Sequence, residues 1–182
     1  MPKFQLLLLD TGVVIELHRR GLWQDFMGRC SVHLTDRVVE EVRYWEKTDD
    51  APGQGGNTIK ISIDLGPDIQ TGRIICHEVP LGSVDRFLQK FDPVYRDQLH
   101  GGELASLALL CAAQEDWRIS SADAAVFRVL GRLGRGQQGV SLEEILQQIG
   151  MGRELDWKFS TRFRLKYTRA GESDSITGPP LR

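Results

Sequence analysis

The chain has 182 residues, 41% of them hydrophobic and 26% charged, and a formal net charge of −2 at neutral pH. That size and balance suit one globular domain with an adequate core, and exclude a protein that coats nucleic acid by bulk positive charge. Cys30, Cys76 and Cys111 are odd in number and lack CxxC spacing, so a disulfide framework or cysteine zinc site is not expected and a reducing, cytoplasmic setting is. The N-terminal apolar run reads as too short for a membrane span or signal peptide, so no membrane partner is expected.

Taken in chain order, Phe4 to Leu9 is a near-continuous apolar run, the pattern of a strand buried on both faces. Val13, Val14 and Leu17 follow at helical spacing, and Leu22, Trp23, Phe26 and Met27 continue an apolar face past Gly21. The spacing of Val38, Val39, Val42 and Trp45 predicts a second helix over 36–45. "DDAPGQGGN" is a loop by composition. Strand-like pieces follow at 59–65 and 73–79, and the alternation of Ile59, Ile61, Ile63 and Leu65 with polar residues predicts a strand covered on one face. A short helix is expected over 83–91 and a buried, nearly all-apolar helix over 103–114. Then come a strand at 117–121, a helix at 123–133, and "GVSLEEIL" (139–146), a strand or short helix that periodicity does not separate. Strands alternating with helices predict a three-layer α/β/α sandwich around a mainly parallel sheet.

On that frame, Asp10 and Asp123 each fall at or just beyond the carboxyl end of a predicted parallel strand, the edge where open α/β sheets bind ligands. Glu103 opens the buried helix after Gly101 and Gly102, where free amides and the helix dipole favour negative charge. Two glutamates compete on the second helix. With Val38 at zero and 100° per residue, Glu40 lies about 170° from the apolar centre and Glu41 about 90°. Glu41 can therefore reach the sheet edge and Glu40 faces water. Each acid singly also fits a local duty, as helix cap or dipole partner. Gathered together, they would repel one another without a divalent cation among them, and an all-oxygen donor set suits Mg²⁺ or Mn²⁺. Such a site can activate water against a phosphodiester.

The spaced acids and their settings resemble the PIN domain, over roughly residues 3–146. "LLLLDTGVVIEL" resembles the family's opening strand with its D-T-N-hydrophobic motif, and "DRVVEEV" the segment supplying a glutamate, here Glu41. "LHGGELASLALLCA" is similar to the G-D/E segment that opens a small-residue-rich helix and carries Glu103. "WRISSADAAVFRVLGRLG" is similar to the strand and T/S-x-D segment, placing Ser121 two residues before Asp123, and "GVSLEEIL" is similar to the closing segment. Two departures stand out: Gly12 replaces the family's common asparagine, and the 46–72 connection is long and carries an extra strand. The resemblance implies a metal-dependent endoribonuclease in residues 1–150. Asp10, Glu103 and Asp123 would be metal ligands, Glu41 would position the nucleophile, and Ser121 would hydrogen-bond a ligand carboxylate. Many prokaryotic members are toxins held inactive by an antitoxin, so RNA, an antitoxin and a second copy in a homodimer are the partners to consider. Some members are weak or inactive nucleases that bind RNA or assist assembly, which is the alternative.

Other chemistries fit less well. An aspartyl-phosphate opening needs a second acid where Gly12 stands, Gly101-Gly102-Glu103 lacks the lysine and spacing of a phosphate loop, and no G-x-S-x-G turn surrounds Ser120 and Ser121. His18, His33, His77 and His100 show no ligand spacing, although His100 lies close enough to Glu103 to be considered for a substrate contact. The extension, residues 151–182, alternates with period two from Trp157 to Tyr167, predicting a strand with one apolar and one basic face, then a mobile tail after Ala170. Lys158, Arg162, Arg164 and Lys166 on the basic face are candidates to follow an RNA backbone, or edge-strand charges that discourage aggregation.

Overall fold

A computed structural model describes residues 4–48, 58–91, 93–99 and 101–178. Its central feature is a parallel sheet of four strands in the order β5-β2-β1-β6, formed by β1 (Phe4–Leu9), β2 (Cys30–Thr35), β5 (Ile74–His77) and β6 (Arg118–Ser120). Successive side chains on a strand point to opposite faces, and both faces here are covered. Leu7 and Leu9 join one core with helices α1 (Thr11–Arg19), α2 (Trp23–Met27) and α9 (Leu142–Gln148). Leu8 joins a second core with α5 (Leu81–Leu88), α7 (Gly101–Ala112) and α8 (Ala124–Arg132). All three leucines are fully buried, each contributing about 1.5–3 kcal/mol of hydrophobic stabilisation. The result is the expected α/β/α sandwich.

The order of the strands fixes where a ligand would sit. From β1 the chain steps outward to β2 and then β5, and returns across the sheet to place β6 on the other side of β1. The reversal falls between β1 and β6, and the crevice beyond their carboxyl ends is the binding position of open α/β sheets. Asp10 follows β1 and Ser121 to Asp123 follow β6, with the Asp10 amide donating to the Ser120 carbonyl at 3.1 Å.

Strand β2 has no clear signature in the sequence because Ser31 and His33 interrupt its apolar pattern. His33 is nonetheless buried, its ring nitrogens within hydrogen-bond distance of the Gln5 carbonyl (3.2 Å), Ser31 Oγ (3.3 Å) and His77 Nε2 (2.9 Å). The predicted 36–45 helix is shorter: α3 covers Asp36–Glu41, Val42 turns extended, and Tyr44–Thr48 becomes β3. The β-branched Val38, Val39 and Val42 favour helix weakly, and Tyr44 to Thr48 pair instead with β4 (Thr58–Ser62) in a separate antiparallel ribbon. This β4 is the extra strand expected in the long connection. Its expected covered face is absent, since Ile59 is 52% and Ile61 36% exposed. Only Ile63 and Leu65, beyond the strand, are buried. "GVSLEEIL" resolves into a single parallel bridge from Gly139 to Ile119, then α9, opened by a capping box between Ser141 and Glu144.

The C-terminal strand is a helix. α10 spans Thr161–Thr177, with Ser160 as its cap accepting from the Phe163 amide at 3.2 Å. Phe159, Phe163 and Tyr167 lie four residues apart, so one set of residues satisfies both a period of two and a helical period. The helix continues past Ala170, where a mobile tail was expected; residues 179–182 lie outside the described chain. It packs on α8 at glycine-to-backbone distance: a Cβ on Gly171 would stand 1.9 Å from the Arg128 carbonyl oxygen, and one on Gly131 2.0 Å from that of Thr168. The extension is thus built into the helical layer beside α8. No described helix is long and apolar enough to cross a membrane.

Candidate functional site

Asp10 is 3% exposed. Its Oδ1 accepts from the Val13 amide at 2.8 Å, capping α1. Its Oδ2 accepts from the Ala122 amide at 3.0 Å and from the Ser121 hydroxyl. Ser121 Oγ in turn accepts from the Asp123 amide at 2.9 Å, and Asp123 caps α8 by accepting from the Ala125 amide at 2.7 Å. Ser121 therefore bonds the Asp10 carboxylate on one side and the Asp123 backbone amide on the other. Burial pushes the Asp10 carboxyl above its ordinary range; the donated bonds oppose the shift, and Asp123 adds to it as a like charge.

Glu41 meets the same edge from α3. Its Oε2 accepts from Thr11 Oγ1 at 2.6 Å and its Oε1 from the Gly102 amide at 2.9 Å. The glycine pair makes this approach possible. Gly101 has φ +42°, and a Cβ on it would stand 2.1 Å from Glu41 Oε1; one on Gly102 would stand 2.8 Å from Val38 Cγ2. Glu40 instead pairs with Arg37 at 3.0 Å on the exposed side of α3, so the helical phase separates the two glutamates as expected. Glu103 is half-buried in the first turn of α7, one residue beyond the amide that holds Glu41. Thr11 and the Gly102 amide were not singled out from sequence; the D-T pair and the Gly-Gly step were the available signals.

The four acids share one edge, but among the described residues no three His, Cys, Asp or Glu side chains converge closely enough to hold a metal ion together. The donor chemistry still suits magnesium or manganese. Mg²⁺ commonly keeps several waters and takes only one or two protein carboxylates. Asp10 Oδ1 accepts one bond, and Asp123 Oδ2 accepts none among the described residues, so the aspartate pair retains acceptor capacity. At Gly12 a Cβ would lie 3.2 Å from Ala122 Cβ and 3.6 Å from Asp10 Oδ1, so a larger residue there would contact the aspartate.

No family model matches this sequence, and no match is found among characterised proteins or solved structures. The site's chemistry rests on its own geometry.

The basic candidates of the C-terminal segment do not form one face. Arg164 makes a two-pronged pair with Glu144, both contacts at 2.7 Å, which commits its guanidinium. On a helix Arg162 and Arg164 project about 200° apart, and Lys158 lies before α10, over the Phe159 ring; Lys166 lies over the Tyr167 ring. The four side chains therefore do not line one track for an RNA backbone. Arg19 and Arg20 are likewise occupied, both by Glu16. Among the histidines, His33 and His77 stack on each other and edge onto Trp117, and burial lowers both pKa values. His18 stacks on Trp23, and His100 lies outside the described residues.

Proposed function

We propose that this chain is a PIN-like, metal-dependent endoribonuclease whose reacting centre is the sheet edge at Asp10. The observation that carries the reading is the buried Asp10 carboxylate at the switch point of the sheet, linked through Ser121 to the Asp123 backbone amide and raised in pKa by burial, with the like charge of Asp123 adding to the shift. A desolvated acid beside a second acid is a costly arrangement for a cap alone, and a divalent cation relieves it. Asp10 and Asp123 would hold Mg²⁺ or Mn²⁺, with Glu103 contributing from the start of α7, directly or through water. When bound, the ion would stabilise negative charge on the phosphodiester and lower the pKa of the attacking water.

The chain's own groups then have separable duties. The Ser121 hydroxyl and the Ala122 amide hold Oδ2 and the Val13 amide holds Oδ1, which together fix the rotamer of Asp10. The Thr11 hydroxyl and the Gly102 amide hold both oxygens of Glu41, which would position the attacking water. A toxin held by an antitoxin is one biological setting for this activity.

The second reading is a PIN-like RNA-binding or assembly protein without turnover. It is favoured by one observation: Asp10 and Asp123 both already serve as helix caps, with no third acid among the described residues converging on them. Cleavage of a mixed single-stranded RNA pool in Mn²⁺ separates the two. The nuclease reading expects loss of cleavage in EDTA and in Asp10→Asn; cleavage that survives either change, or none by the wild type, removes it.

A further inference from the structure

The pair formed by His33 and His77 takes no part in the acid edge, and its hydrogen bonds fix where its protons sit. His33 is 5% exposed, and its Nε2 lies 3.2 Å from the Gln5 carbonyl oxygen, which can only accept. Ser31 Oγ, 3.3 Å from the same nitrogen, can accept as well. Nε2 therefore carries the hydrogen, and Nδ1 of the neutral ring is an acceptor. Facing that Nδ1 at 2.9 Å is His77 Nε2, which is then the donor. The couple's remaining lone pair is on Nδ1 of His77, the partly exposed ring. A first added proton goes there and leaves both bonds intact. A second would need His33 Nδ1, which already accepts the His77 hydrogen, so the two rings are both charged only when they part. Two imidazolium ions in contact, one of them out of water, would repel as well.

The charged groups on the elements packed round the rings are engaged elsewhere. Glu41, Asp68 and Glu115 accept hydrogen bonds from other partners, and Arg37, Arg73 and Arg118 pair with acids. Asp36 and Glu78 act on Cys76, whose side chain leaves the opposite face of β5. Among the described residues none of these groups, nor Glu103 of α7, shifts either ring; burial does, with His77 adding to the shift of His33. The pair also spans three strands. His33 stands on β2, Gln5 on β1 where the register of those two strands shifts, and His77 on β5, the outermost strand. His77 is in register with Thr35, whose hydroxyl caps α3, the helix that carries Glu41.

We propose that His33 and His77 form an acid-sensitive latch, which pins β5 to β2 with at most one added proton and, with two, releases the edge strand and the seat of α3 at Thr35. Histidine suits this duty because its charge changes between pH 5 and 8. The sign follows from the lowered folded-state values. The latch is complete above the ordinary histidine value of about 6.5 and is lost as pH falls below it, because the open strand binds protons that the closed one refuses. The consequence for Glu41 rests on the nuclease reading; the latch itself is measured without turnover.

The test is amide hydrogen exchange of Ile74 to His77 between neutral pH and pH 5, corrected for the intrinsic exchange rate and referred to Leu7 to Leu9 of β1. Each proton taken up on opening raises the opening constant about tenfold per pH unit, so the wild-type ratio should rise about tenfold or more from pH 6 to pH 5. His33→Gln is the deciding variant. Its amide oxygen can accept from His77 and its amide nitrogen can donate to Gln5, so both bonds stay and the second proton has no site. Its ratio should rise by less than about threefold. Equal pH dependence in the two proteins, or none in the wild type, overturns the proposal. Should His33→Gln fail to fold, ring ¹⁵N NMR of the wild type decides: His33 charging near its ordinary value of about 6.5 while the β5 amides stay protected overturns it equally. RNA cleavage should fall in acid in step with β5 opening. Cleavage that persists while β5 opens would overturn the link to Glu41, whereas no cleavage at any pH would remove the nuclease reading and leave the latch standing.

Discussion

Replacing Asp10 tests whether its carboxylate is both an anchor and a stored electrostatic cost. Asp10→Ala deprives the Val13 and Ala122 amides of their acceptor, and the Ser121 hydroxyl as well. The hydroxyl can turn elsewhere, so the two amides dominate, at about 1–3 kcal/mol each, or about 2–6 kcal/mol together. Asp10→Asn can keep its oxygen in the Oδ2 position, retaining Ser121 and Ala122 and losing only the Val13 cap, about 1 kcal/mol. Against that loss it removes a desolvated charge beside Asp123, whose worth is about 1.4 kcal/mol for each unit by which the pKa is raised. Metal-free Asp10→Asn should therefore lie within about 1 kcal/mol of the wild type at neutral pH, far above Asp10→Ala. The sign of the pH dependence follows from the upward shift. The folded state binds the proton more tightly than the unfolded chain, so this contribution is complete below the ordinary aspartate range and is lost as pH rises through the raised value. Urea unfolding in EDTA across acid to neutral pH should show the wild type's advantage over Asp10→Asn shrinking as pH rises. A flat or growing advantage would refute the desolvated carboxylate, and equal losses in Asn and Ala would refute the hydrogen-bond account. Mg²⁺ at a hundredfold excess over its Kd should add about 2.7 kcal/mol to the wild type and less to Asp10→Asn.

Glu41→Gln should lower RNA turnover by about 10²-fold or more, whereas Glu40→Gln, with the same charge change, should leave steady-state rates almost unaltered; the reverse order would contradict the placement of α3. Gly171→Ala forces a methyl against the Arg128 carbonyl and should cost at least about 2 kcal/mol in urea unfolding, a neutral result refuting the docking of α10 on α8. Gly12→Asn places an amide near Asp10 Oδ1 and should lower the Asp10 pKa in a carboxyl NMR titration, with Gly12→Ala as the crowding control. An unmoved titration would show that the amide does not reach the carboxylate.

The sandwich and its acid edge were legible because both depend on strong local patterns. A run such as Phe4 to Leu9 has few alternatives to a doubly covered strand, and an acid at its end is carried to the sheet edge by the topology alone. The phase of α3 held for the same reason: within six residues, 100° per residue leaves little room for error between Glu40 and Glu41. What failed depended on tertiary partners. Strand β2 was hidden because His33 is made apolar in effect by Gln5, His77 and Trp117, all distant in sequence. α10 was mistaken for a strand because its buried aromatic residues sit four apart, a spacing both periods share; the close approach of Gly131 and Gly171 decides between them. The basic alternation at Arg164 gave no sign that Glu144 would claim that side chain. The links from Thr11 and Gly102 to Glu41 are similarly long-range, and only the folded edge reveals them.

The central claim, that the Asp10 edge is a divalent-cation site, is tested most directly by anomalous diffraction from crystals grown in Mn²⁺, with wild type and Asp10→Asn compared. The account predicts a manganese peak in contact with the Asp10 and Asp123 carboxylates in the wild type, and its loss in the variant. No peak at that edge under saturating Mn²⁺, or a peak that persists unchanged without the Asp10 carboxylate, would contradict it.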